Sequence, residues 1–266
     1  MRNIIKSDFY KLKKSKAFWI CIVLCVIFGV FAVVAFQANI QRDLSSHNPA
    51  DHDYLQAVEL TKVTSGVWGL QQFLPLNFNT LFVGVFIAIF VTSEFVYGTI
   101  KNTLSRGADR AKVFFSKLLV CGTAAVIMQI LFIAALLAAG AAVWGFDTQG
   151  ISTAGSMVRV LLSQILVIIS FTVLFTSIAT AIRSNGGSIA TNILCATMIS
   201  TFFNALNMLF NYKIAVNDYW IGGVVDKLAN FTPAPGDILH GILVVLAWGV
   251  VSLLVGTALF KKQDVK

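Results

Sequence analysis

The chain reads as an all-α integral membrane protein with six transmembrane helices, a short amphipathic helix ahead of them, and a helical cytoplasmic segment between helices two and three. Three observations predict this. Hydrophobic residues fill 57% of the 266 positions and charged ones only 12%, for a mean hydropathy of +0.81; a soluble domain carries about 25% charge. Apolar runs of the length that crosses a bilayer, about 20 residues, recur from one end of the sequence to the other. The basic residues gather in alternate connections between those runs, as cytoplasmic segments do.

Residues 1–16 open the chain with Ile5, Phe9 and Leu12 on one helical face and Lys6, Lys11, Lys13, Lys14 and Lys16 on the others. This pattern suits a helix lying in the cytoplasmic interface. A disordered basic lead is the alternative. The apolar run that follows is full-length and more spans come after it, so a cleaved signal peptide is set aside. The first span covers 17–36, with Trp19 as an interfacial anchor. Residues 37–73 form a long outer loop in which Asp43, Asp51, Asp53 and Glu59 outnumber Arg42 and Lys62. Asn48-Pro49 predicts a capped short helix there, and Trp68, Leu70 and Phe73 a stretch against the membrane surface. His47, Asp51, His52 and Asp53 would allow a metal site, but a solvated loop is the plainer reading.

The second span, 74–96, starts on Asn77, Asn79 and Thr80 and ends on Glu94. Residues 97–112 then hold Lys101, Arg106, Arg110 and Lys112 between the punctuating Gly98 and Gly107. The third span, 113–143, is longer than a bilayer requires and is expected to project into the cytoplasm at Phe114–Lys117 or to tilt. The fourth covers 157–182, a tight turn at 183–187 leads to the fifth, 188–212, and a second outer connection, 213–236, precedes the sixth, 237–260. With both termini cytoplasmic, the inner segments hold fifteen of the 20 basic residues. Of the 12 acidic ones they hold only Asp8, Glu94, Asp109 and Asp264. That distribution places the chain as a multi-pass protein of the cell membrane.

The same residues exclude several functions. The net charge of +8 is accounted for by inner segments and anionic headgroups, and nothing resembles a nucleic-acid-binding module. All four cysteines lie in apolar runs; Cys21 and Cys25 share a helical face, but buried small hydrophobes are the plainer reading. Ion-coupled carriers need ionisable groups at depth, and here only Glu94 and Arg159 come near, both at span ends. No filter motif, nucleophile–base pair or phosphate-binding glycine loop appears. The polar features left inside the spans are uncharged. Thr197, Ser200, Thr201, Asn204 and Asn207 run along one side of the fifth, Gln164, Thr172, Thr176 and Thr180 along the fourth, and Gln129 sits in the third. Asn77, Asn79, Thr197, Thr201, Asn204 and Asn207 are the candidates for a pathway or subunit seam, with helix–helix packing the competing explanation.

The lysine-rich lead, the long first outer loop, and Glu94-x-x-x-Gly98-Thr99-Ile100-x-x-x-Leu104 with Arg110 before the third span together resemble the permease subunit of type-2 ABC exporters. The nearest likeness is to the small permeases of bacterial antimicrobial-peptide immunity and bacitracin-resistance systems. In topology it covers the whole chain; in sequence it rests on residues 8–19, 93–118 and the turn at 183–187. The resemblance implies a six-span permease working as a homo- or heterodimer on two cytoplasmic ATPase subunits. Those subunits, not this chain, would bind ATP and Mg; this chain would have no cofactor and no catalytic site of its own. It further implies that 97–112 is the coupling segment, with Thr99, Lys101, Asn102, Leu104, Ser105, Arg106 and Arg110 facing the ATPase, and that spans two and five line the path. The substrate expected is an amphipathic or hydrophobic molecule such as an antimicrobial peptide. Export of a drug, lipid or ion, or a non-transporting scaffold or sensor role, are the alternatives.

Overall fold

The structure, a computed structural model, describes residues 2–45, 52–76, 78–100, 105, 107, 109–146, 154–210, 215–234 and 236–262. Among the described residues the α-helices are, in chain order, α1 Arg2–Lys14, α2 Lys16–Ser45, α3 His52–Val63, α4 Gly66–Phe73, α5 Phe78–Val96, α6 Arg110–Trp144, α7 Ala154–Ile182, α8 Asn185–Leu209, α9 Val225–Ala229 and α10 Asp237–Lys262. Two 3₁₀ turns, Val216–Tyr219 and Gly222–Val224, precede α9. Six helices, α2, α5, α6, α7, α8 and α10, are long and apolar enough to cross a membrane, and the described residues contain no strand. At 1.5 Å per residue α6 is roughly 52 Å long, well beyond a hydrocarbon core of about 30 Å.

The main core is built from α2, α5, α6 and α7, with Phe86, Val120, Met128, Phe171 and Phe175 all fully buried. Helix pairs are joined by polar atoms where apolar packing alone gives no preferred register in lipid. Cys25 donates to Asn79 Oδ1 at 2.9 Å and Asn79 donates to Gln129 Oε1 at 2.6 Å, linking α2, α5 and α6. Asn192 on α8 donates to the Gly84 carbonyl of α5 at 2.9 Å. On α7 three serines spaced seven residues apart face carbonyls of other elements. Ser163 donates to Leu228, Ser170 to Val245 and Ser177 to Ser252, at 2.8–3.0 Å. Because seven residues return nearly to the same side of a helix, this row fixes the contact between α7 and α10.

At the end of the bundle away from α1, a second core joins Val33, Leu70, Phe73, Phe132, Ile133 and Leu136. Here α4 departs from the surface stretch expected at Trp68–Phe73. Leu70 and Phe73 are buried, and α4 crosses the end of α6 so closely that a Cβ on Gly140 would lie 2.9 Å from the Gly66 Cα. The connection before α10 also turns inward. Trp220, 2% exposed, sits among Phe171, Phe203 and Trp248, and Ile221, Val224, Val225 and Leu228 join the main core. Arg159 holds that segment by donating to the carbonyls of Asn230 and Phe231, both at 2.9 Å.

Candidate functional site at the amino-terminal end of the bundle

Where α1, the end of α5 and the start of α6 meet, two acids and two lysines form a closed ring. Glu94 receives Lys11 on Oε1 at 2.9 Å and Lys117 on Oε2 at 2.6 Å. Asp8 Oδ1 lies 3.5 Å from Lys11 and 3.8 Å from Lys117, and Asp8 Oδ2 accepts from the Ser116 hydroxyl at 2.8 Å. Lys117 and Asp8 are each 2% exposed. Charges this deep are tolerated only with opposite charges and hydrogen bonds around them. Within the Phe114–Lys117 stretch, Phe114, Ser116 and Lys117 are buried and Phe115 is exposed. At Lys11, burial pulls the ammonium pKa down, but attraction to Glu94 and then Asp8 outweighs it and the pKa is raised above its ordinary value. A cavity of about 420 Å³ opens beside the ring, bordered by Lys11, Ser15, Glu94, Tyr97, Thr99 and Asn185.

The ring stands at the root of the 97–112 segment. Lys101, Asn102, Leu104 and Arg106 lie outside the described residues, as does Asn77. Around them, Gly98 (φ 67°) and Gly107 (φ 79°) occupy the left-handed region that a side chain disfavours, so the chain turns at both ends of the segment. Thr99, Ile100 and Ser105 have helical backbone. Thr99 and Ser105 are exposed, and the Thr99 hydroxyl reaches the Glu94 carbonyl at 3.4 Å. Ile100 is buried against Val113, Phe114 and Phe260. Arg110, half-buried, donates to the Lys261 carbonyl at 3.1 Å, and Asp109 caps α6 through the Ala111 amide at 3.0 Å. The segment is therefore fastened at its root to α5, α6 and the last turn of α10. None of these groups is arranged as a nucleophile with a base; the arrangement ties the root of the segment to four helices, α1, α5, α6 and α10.

The candidate polar row on α8 divides. Thr197, Thr201 and Asn204 are exposed, with the two threonine hydroxyls bonded back to Ile193 and Thr197 carbonyls. Asn207 is buried and its Oδ1 accepts from the Val216 amide at 2.8 Å, holding the start of the first 3₁₀ turn. Asn79 is interior, in the chain from Cys25 to Gln129. Only 6% of the most apolar stretch of α8 is buried, against 61% for α5. Asn204 thus stands on a face this chain leaves open, where exposure to lipid would be costly.

Three parts of the site escaped sequence reasoning: Asp8, Lys117 and the anchoring role of Ile100. Asp8 did leave a signal, since it lies three residues after Ile5 and four before Leu12, on the apolar face of α1. Residues 4–204, which contain the whole ring, match the family model described as ABC-2 family transporter protein. None of the curated proteins matches the chain.

Proposed function

We propose that this chain, which belongs to the ABC-2 transporter family and is thus a membrane permease subunit of an ABC transporter, exports an amphipathic or hydrophobic substrate under power from separate ATPase subunits. Two cytoplasmic ATPases dock on residues 97–112, one for each of two permease copies, and bind the ATP and Mg. Both termini lie in the cytoplasm of a cell whose plasma membrane the six helices cross. The copies meet along the open face of α8 at Thr197 and Thr201, and α5 and α8 line the path, with Asn204 toward it. Antimicrobial peptides of the kind handled by immunity and bacitracin-resistance systems are the leading substrate class, because the path carries no charge ladder for ions.

The observation that carries this reading is the buried ring of Asp8, Lys11, Glu94 and Lys117. It couples the root of the docking segment to α1, α5 and α6, so that a push at 97–112 reaches the bundle rather than bending a loop. The test is co-purification with the ABC ATPase encoded beside this chain. Arg106→Glu with Arg110→Glu should abolish capture of the ATPase while membrane insertion stays at the wild-type level. Capture at wild-type levels by that double variant would overturn the assigned docking segment, and a neighbouring ATPase whose turnover ignores the reconstituted permease would overturn the transport reading.

A further inference from the structure

Resting on the export reading, we propose that a crevice between the start of α5, the middle of α8 and the turns before α9 binds the ammonium or guanidinium head of a cationic amphiphile, with Asp226 as its counter-charge. The crevice has a volume of about 410 Å³. One wall is apolar, made by Leu76, Phe78 and Leu81; the other carries Ser200, Asn204, Asn217 and Asp226.

Three features make this a site rather than a surface dent. First, the polar wall lacks partners. Among the described residues no hydrogen bond or ion pair reaches Asp226, Ser200 or Asn204, and the buried Oδ1 of Asn217 has none. Of these, only the Asn217 Oδ1 is a buried atom; buried polar atoms in native folds are nearly always satisfied, so it marks where a donor belongs, while Asp226 and Asn204, exposed, and Ser200, half-buried, offer further acceptors beside it. Second, Gly222 borders the crevice. Gly222 keeps this corner open: a Cβ there would lie 2.5 Å from Ser200 Oγ and 2.9 Å from Trp220 Nε1. Third, the charge is one-sided. The adjacent base, Lys227, is held by Asp218 at 2.6 Å and lies 4.0 Å from Asp237, in a separate cavity that His240 and Tyr219 also border. Among the described residues no basic one lines the Asp226 crevice.

A ligand head with several N–H donors matches that wall of carboxylate, carbonyl and hydroxyl oxygens, and an apolar body matches Leu76, Phe78 and Leu81. Charge-assisted hydrogen bonds to a carboxylate are the strongest available here. Asp226 is open at the surface as a residue, yet burial pushes its carboxyl pKa up from the usual range, so a bound cation would relieve a cost the fold already bears.

The experiment is photolabelling of the permease in phosphatidylcholine nanodiscs with a dodecylamine carrying a diazirine near the head, mapped by mass spectrometry. Label should concentrate on residues 76–81 and 196–204, and should be competed by unlabelled dodecylamine but not by dodecanol. Asp226→Asn should lower that labelling about tenfold, while Asp226→Glu restores it. Competition by a lysine-bearing amphipathic peptide, or by phosphatidylethanolamine added to the disc, would each support the site and identify the source of the head group. Equal labelling in Asp226→Asn, equal competition by dodecanol, or label spread over α2 and α10 would overturn it. Because no ATPase is present, failure here leaves the docking test untouched, and failure of docking leaves this result standing.

Discussion

Cutting one corner of the buried ring should cost far more than removing two. In Glu94→Gln the Lys117 ammonium, 2% exposed, loses its 2.6 Å partner and keeps only Asp8 at 3.8 Å. Asp8 is already shared with Lys11 and Ser116. Removing one partner of a buried pair costs about 3–5 kcal/mol, whereas replacing both by apolar groups is often neutral. The expected loss for Glu94→Gln is therefore about 3 kcal/mol, toward the lower end of that range because Asp8 remains. Lys117→Met should cost less, since Lys11 at 2.9 Å still neutralises Glu94. The double variant Glu94→Leu with Lys117→Met leaves Asp8, Lys11 and Ser116 bonded among themselves and should be close to the wild type. A cycle of Glu94→Leu, Lys117→Met and their double variant, followed by chemical unfolding of the purified protein in detergent, reads this as a coupling energy of at least about 2 kcal/mol. Additive losses, with the double variant costing the sum of the singles, would refute the ring as a unit.

Lys11 has a side chain 41% exposed, so Lys11→Met should lose well under the cost of Glu94→Gln, within about 1 kcal/mol. With its pKa raised, the Lys11 contribution is complete below its ordinary value and fades only as pH climbs through the higher folded one. Thermal unfolding should accordingly show no Lys11-dependent change from about pH 6 to 9. Asp226 runs in the opposite sense for a carboxylate. Burial raises its pKa, so the fold favours the protonated form, and that gain is complete below the unfolded value of about 4 and lost as pH rises through the folded one. Asp226→Asn should unfold at a higher temperature than the wild type at about pH 7, with the gap closing toward pH 4. On α6, Gly140→Val must push Gly66 backbone aside and should destabilise by about 1–3 kcal/mol. Gly122→Ala, with nothing near its Cβ, should be neutral or gain up to about 1 kcal/mol. Paired melting curves decide between them.

The fold class was legible because length and hydropathy mark spans directly, and α2, α5, α6, α7, α8 and α10 each hold enough apolar residues in one run. The site was legible only in part. Glu94 stood out as a charge at a span end, and Arg110 as one of the basic residues of 97–112. Lys117 did not, because a lysine near the start of an inner span reads as one more cytoplasmic positive charge; its partner Asp8 is 109 positions away in sequence. Pairing over such a distance is a property of how helices meet, which no local pattern encodes. Asn204 and Asn207 show the same limit from the other side. Three residues apart, they share a helical side on paper, but α8 ends at Leu209 and Asn207 is drawn into holding the turn that follows.

The serine row on α7 bears on how the protein is made. Two of the three carbonyls it reaches, Val245 and Ser252, belong to α10, which is made after α7, and the third, Leu228, lies just ahead of it. Until then Ser163 and Ser177 can satisfy themselves on the Val160 and Val173 carbonyls of their own helix, which leaves Ser170, bonded to Val245 alone, as the hydroxyl that gains most from α10. Arrival of α10 completes the three-serine row and seats Phe260 against Ile100. The root of the 97–112 segment thus gains its contact with α10 only after that helix has been made.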